Sequence, residues 1–222
     1  MKGHPMAFRR LNYACAAFAV AALMTFSTFS AKADSNAAQQ VIQQSYAVLL
    51  DVMKDAKTLG YDGRVRRLAP AVEAAFNLPF MAQVTAGRFW DKANDDQRQR
   101  FVAAFGRMTT AALATRFDGY NGEQLAVLET VEKSPDSVVV KTEIGFTDGH
   151  KIPIDYVMKN FDGAWKVTDI YTMGSISEIA VKTADYLAVL QAGGVDALAG
   201  ALNDKVITLA EAEKQSEDKT SP

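Results

Sequence analysis

The sequence predicts an α+β fold: a curved antiparallel sheet of about four strands, with helices packed on its apolar face. Three observations carry this. Apolar residues recur at helical spacing up to about residue 117 and again after Gly174. Between them, residues 124–172 alternate with a period of two. The alternating runs are separated by short turn-forming clusters, Ser134-Pro135-Asp136, Asp148-Gly149 and Asp162-Gly163. Short connections join neighbouring antiparallel strands, so the middle of the chain is a meander and the helices must cover it.

The first predicted helix covers Asn36 to Lys57, where Ile42, Tyr46, Leu49, Leu50 and Met53 recur on one side, and Gly60 stops it. Val65, Leu68, Ala69, Val72, Ala75 and Phe76 continue as one or two helical pieces, interrupted near Pro70. Asn77 can cap a short helix with Pro79 in its first turn. Asn94 precedes the longest helical run, Asp95 to Phe117, with Phe101, Phe105, Met108 and Ala112 along one side.

Strands are predicted over Gln124–Val131, Ser137–Phe146, His150–Asn160 and Ala164–Thr172. Val138, Val140, Thr142, Ile144 and Phe146 share one face of the second, and Ile152, Ile154, Tyr156 and Met158 one face of the third. Lys141, Glu143, Lys151 and Asp155 point the other way, giving a dry face and a wet face. After Gly174, Ile176, Ile179, Ala180, Thr183, Tyr186, Leu187 and Leu190 form a helical stripe. Gly193-Gly194 breaks it, and Val195 to Leu209 is helical again. The helices and the sheet either pack shut or stand apart around a cavity; the pattern satisfies both.

Residues 1–33 read as an export signal: a basic start at Lys2, Arg9 and Arg10, an apolar run from Leu11 to Phe29, and the small-residue site Ala31-Lys32-Ala33. Cleavage before Asp34 leaves residues 34–210 as one domain, followed by a tail, 211–222, whose Glu, Lys and Ser content reads as frayed. The signal holds Lys2, Arg9, Arg10 and Lys32 and none of the 26 acidic residues, so the remaining chain is more acidic than the formal −2 of the whole. That balance argues against nucleic acid as a partner. The lone cysteine, Cys15, lies in the signal, so the exported part has no disulfide, thiol nucleophile or thiolate metal site. No cofactor or metal site is expected.

His150 is the one histidine left, and it follows Asp148-Gly149 at a turn. A Ser-His-Asp relay would rest on it alone, and an exposed turn histidine is the plainer reading. Asp95-Asp96 meets the positive end of a helix dipole and reads as structural. A glycosidase-like carboxylate pair is a three-dimensional arrangement and stays open here. Arg64, Arg66 and Arg67 read as a solvated helix face, with an acidic partner or a lipid headgroup as the alternative.

Three groups of segments run in order along the chain. They are Phe76-Asn77-Leu78-Pro79-Phe80 with Gly87-Arg88-Phe89-Trp90 and Gln97-Arg98-Gln99-Arg100-Phe101; Trp165-Lys166-Val167-Thr168-Asp169-Ile170 with Gly174-Ser175-Ile176-Ser177; and Gly193-Gly194-Val195-Asp196-Ala197-Leu198 with Leu202. Together they resemble the MlaC/toluene-tolerance family of periplasmic lipid carriers. Arg116-Phe117-Asp118-Gly119-Tyr120-Asn121-Gly122-Glu123 and Ser175-Ile176-Ser177-Glu178-Ile179-Ala180 look closer to the branch associated with hopanoid biosynthesis, HpnM.

The resemblance implies a monomeric, non-enzymatic shuttle in the periplasm of a Gram-negative bacterium. It would carry a phospholipid or a hopanoid for a membrane-bound ABC-type lipid transport system. The lipid-binding residues expected are Phe105, Met108 and Ala112 on one wall, and Val140, Ile144, Ile154, Tyr156 and Val167 on the other. A non-catalytic envelope assembly factor with a filled core, and a carboxylate-based hydrolase, are the competing readings.

Overall fold

The computed structural model describes residues 29–220. Residues 1–28 of the expected export signal (1–33) lie outside the described residues, and its last five are helical.

Helix α1 (Phe29–Lys54) buries Ala38, Ile42, Tyr46, Leu49, Val52 and Met53, a stripe at the spacing that brings every fourth residue to one face. Helix α2 (Ala56–Ala75) bends where the sequence places a stop: Gly60 takes φ 58° and ψ 176°, a conformation open to a residue without Cβ. Beyond it Tyr61, Arg64, Leu68, Val72 and Ala75 are buried. The interruption expected at Pro70 does not occur. The helix runs through an exposed Pro70, and its neighbours Leu68 and Val72 are both in the core. Their packing offsets the roughly 3 kcal/mol that an interior proline costs a helix.

At Phe76 the chain turns extended and pairs with Val167 of the sheet. Helix α3 (Leu78–Ala86) starts there, with the Asn77 side chain accepting from the Phe80 amide at 3.0 Å. Helix α4 (Asp95–Arg116) opens on a reciprocal cap between Asn94 and Gln97, and Asp95 and Asp96 occupy its first turn.

The sheet follows: β1 (Gln124–Ser134), β2 (Ser137–Gly145), β3 (Lys151–Phe161), β4 (Ala164–Thr172) and β5 (Ile176–Ser177), each antiparallel to the one before. Asp162 and Gly163 both have positive φ, 52° and 91°, the geometry that a two-residue hairpin needs. Register slips at Leu128 and Lys133 in β1 and at Thr168 in β4, and such bulges bend a sheet. β5 is an addition to the four strands read from sequence. Two residues are too few to show alternation, and Ile176 fits the helical stripe that follows.

Helix α5 (Glu178–Thr220) breaks at Gly193 and Gly194, as the sequence implies. Its first turn is held by Asp169 of β4, whose Oδ1 accepts from the Ile179 amide at 3.1 Å while Oδ2 takes the Ser177 hydroxyl at 2.6 Å. The tail expected to fray is helical to Thr220. The reason is a residue whose burial the sequence hides. Of the three arginines on α2, Arg66 and Arg67 are exposed, but Arg64 is 2% exposed. Its guanidinium donates to the Ala114 carbonyl of α4 at 3.0 Å, to Glu213 at 2.6 Å and to Glu217 at 3.0 Å. Lys214 adds a bridge to Asp62 at 2.9 Å. One buried cation thus ties α2, α4 and the end of α5.

Replacing Arg64 by Met should cost about 3 kcal/mol in urea melts. That is the low end of the range for breaking a buried pair, because Glu217 stays 38% exposed. Burial raises the Glu213 carboxyl above 4.5 in spite of Arg64. A raised carboxyl stabilises the fold fully below its unfolded value and loses that contribution as pH rises through its folded one. Against Glu213→Gln, the parent should therefore be relatively more stable at about pH 4 than at about pH 7 when unfolding free energies are compared.

Candidate functional site

The inner face of the sheet is built by the ladder. Val138, Met158 and Val167 stand in one row, Thr130, Val140 and Tyr156 in the next, and Val127, Thr142 and Ile154 in a third. Alternation along β2 and β3 places them on one side, as the sequence predicts. The other side carries Lys141 paired with Glu129, and Lys151 paired with Glu143.

Helix α1 covers this inner face. Ala38, Ile42 and Tyr46 pack with Val138, Val140, Met158, Trp165 and Val167 in one core. Met158, Val140 and Val167 are 0% exposed, so no space wide enough for water touches them. Towards the β2–β3 turn the cover thins: Ile152, Ile154 and Tyr156 are only half-buried. The inner face is dry and filled at one end and part open at the other.

The structure separates the two walls expected from sequence. Val140, Tyr156 and Val167 lie together in the α1–sheet core. Ile144 is buried, and Ile154 follows Tyr156 along the same face. Phe105 is buried in a different core with Phe101, Leu190, Leu198 and Leu202, between α3, α4 and α5, and Met108 packs against that core. Ala112 is exposed on the outer side of α4, while its neighbours Ala111 and Ala114 face inward. Periodicity marked α4 as amphipathic, but α1 occupies the place opposite the sheet that α4 was expected to take. Among the described residues, Phe76 alone is packed against both cores.

Four hydroxyl-bearing side chains sit in this apolar layer. Thr142 donates to the Ile154 carbonyl at 2.5 Å, and the Tyr46 hydroxyl lies 2.6 Å from Thr142 Oγ1. A hydroxyl has one proton, so Tyr46 is the donor to Thr142. The Tyr46 and Tyr156 rings meet edge to face, with centroids 5.9 Å apart. The Thr130 hydroxyl is buried without a hydrogen-bond partner. Burial pushes both phenols upward, Tyr156 the further, so both stay neutral at physiological pH. The apolar alternation of these strands is legible from the sequence, but nothing in it signals that their polar positions converge with Tyr46, 96 residues away from Thr142.

Other concavities are small or charged. A cleft of about 220 Å³ opens between α1 and α2, lined by Val41, Val48, Ala71 and Ala75. A groove of about 420 Å³ between α4 and α5 carries Arg100 and Arg107, with Arg100 paired to Asp196 at 2.8 Å. Its floor is alanine and glycine. His150 sits exposed at the β2–β3 turn, its ring 5.7 Å from that of Phe146. Among the described residues, no three His, Cys, Asp or Glu side chains converge to hold a metal, and no helix is long and apolar enough to cross a membrane.

The separation of the walls gives a direct check. Ala112→Trp should change stability by less than about 0.5 kcal/mol, as an exposed substitution does. Val140→Phe should cost about 1–3 kcal/mol through overpacking. Thermal melts of the two variants, side by side, read the difference.

No curated relative matches the chain. Among solved structures, the fold is similar to a phospholipid-binding protein from Ralstonia solanacearum, determined in complex with a phospholipid. The likeness has a TM-score of 0.68 at 20% identity and covers 78% of this chain and 98% of that one. The sequence from residue 43 to residue 204 matches the family described as MlaC protein. That span takes in all five strands and the larger part of the helical layer, and the chain belongs to the MlaC family.

Proposed function

We propose that the chain is a periplasmic lipid carrier that binds one lipid with its tails enclosed against the inner face of the sheet. The observation that carries this reading is the inner face itself, largely apolar and part open at one edge, in a chain of the MlaC family. The solved protein of similar fold holds a phospholipid, which supports the same ligand class here. A hopanoid is the alternative cargo, on the strength of the two segments near Asp118 and Ser177. An ABC-type membrane transporter is the partner such a shuttle would serve, with residues 1–33 removed on export.

Beneath α1 the inner face is filled, so loading has a structural cost. Tails must displace part of α1 from the sheet, uncovering Ile42 and Tyr46 on one side and Val140 and Met158 on the other. Each methylene that leaves water for such a site contributes roughly 0.8 kcal/mol. Two long tails exceed the loss of those side-chain contacts. Gly60, at the bend of α2, offers a pivot next to α1.

Protein purified without detergent from the cell envelope, then extracted with organic solvent, should release close to one lipid per chain. Mass spectrometry distinguishes a diacyl phospholipid from a hopanoid. A chain that is repeatedly lipid-free and takes no lipid from vesicles would overturn the carrier reading and favour an assembly factor with a filled core.

A further inference from the structure

The end of α5 runs past residue 204, where the match to the family stops, and three fastenings hold it to the other helices. Val206, Leu209 and Ala210 pack against the core that holds Leu49, Val52 and Met53 of α1. Further on, Glu213 and Glu217 take the buried guanidinium of Arg64. The outermost fastening is the bridge from Lys214 to Asp62, and both of its side chains are more than half exposed.

This segment also bears on the bend of α2. Glu217 Oε2 lies 3.3 Å from the point where a Cβ on Gly60 would stand, so the carboxylate rests on the residue whose backbone leaves helical geometry. Only Asp55 to Leu59 separate that residue from the end of α1. A swing of α1 away from the sheet turns about this short link. The end of α5 therefore restrains both the link and the core beneath the second half of α1.

The fastening is graded. Its inner part is apolar, and its outer part is ionic and wet, with Glu217 38% exposed. Exposed bridges hold weakly, and helix ends open locally at low cost. The Tyr61 hydroxyl, buried in the same core, has no hydrogen-bond partner. A fully satisfied polar network rigidifies a core, and this one is incomplete.

We propose that residues 205–220 are a strap that holds α1 over the sheet, with Arg64 as its clamp, and that the strap sets how fast cargo enters and leaves. This rests on the carrier reading and adds its control: the strap acts on the rate of exchange, not on which lipid is held. When it lifts, Arg64 gives up both carboxylates and the bend at Gly60 is free to turn.

Three forms of the full chain test it, each with Cys15→Ser as background. The opened form is Glu213→Gln with Glu217→Gln, which leaves Arg64 amide acceptors in place of carboxylates. The locked form is Asp62→Cys with Lys214→Cys, joined by a short bis-methanethiosulfonate and reopened by a reductant. Leu198→Ala is the control, because it weakens the core of α3, α4 and α5 without touching the clamp. Two rates are read: deuterium exchange of the α1 amides 38–46, and transfer of pyrene-labelled phosphatidylglycerol from the protein to phosphatidylethanolamine vesicles. Both should rise roughly 10-fold or more in the opened form, as the loss of one charge-assisted hydrogen bond implies. Both should fall below the parent in the locked form and recover with reductant, while the lipid held at saturation stays the same.

Parental α1 exchange in the opened and locked forms would overturn the strap. So would an equal rise of both rates in Leu198→Ala, which would make the segment a source of stability only. A response of α1 without a change in lipid transfer would overturn its control of cargo while leaving the carrier intact. A parent that holds no labelled lipid would count against the carrier reading and against that control, and the deuterium rates would still decide whether the strap holds α1. Should the glutamine pair not fold, the locked form carries the test, since it only adds a restraint.

Discussion

Two residues hold the helical layer to the sheet. After α2 ends, Phe76 runs extended beside β4, and the Asn77 amide donates to the Val167 carbonyl at 2.9 Å. The same short segment does three further things. Asn77 caps α3, Phe76 reaches into both the sheet core and the core of α3, α4 and α5, and Lys166 of β4 donates back to the Ala74 carbonyl at the end of α2. A helix end needs acceptors and donors from outside itself, and here the sheet supplies them. The orientation of α1 over the inner face, and of α4 and α5 behind it, follows from where this joint fixes α2 and α3.

Much of the architecture was legible because local chemistry sets it. Asn94 and Gln97 announce a helix start, Asp162-Gly163 a tight hairpin, and the alternation in β2 a face. What was not legible is which face meets which. Ala112 lies on the same predicted stripe as Phe105, yet it is outside and Phe105 inside, because the stripe follows a helix whose contacts are shared among α2, α3 and α5. Arg64 looked like Arg66 and Arg67, and only its partners, some 150 positions later in the chain, distinguish it. The tail read as frayed for the same reason: its glutamates are solvating residues until a buried cation is placed beside them. Of the site, the apolar positions were readable and the hydroxyl cluster was not, since an isolated threonine in a strand is ordinary.

The closed interior and the hydroxyls describe one compromise. A carrier must be stable when empty, which favours filling the space between α1 and the sheet. It must also let that space be taken by something else. Tyr46 meets both demands: its ring packs against Tyr156, and its hydroxyl ends in a hydrogen bond that breaks without leaving a buried charge.

The distances in sequence that these contacts bridge have a kinetic consequence. Helix α1 is made first, yet the surface it rests on begins some eighty residues later at β1, and the clamp on Arg64 closes only with Glu213 and Glu217, near the end of the chain. Non-local closures of this kind slow folding, because the entropy of each loop is lost before its contact is gained. Until the sheet is complete, Ile42 and Tyr46 lack the residues that cover them. The apolar side of α1 is therefore the part of the chain that waits longest for its cover.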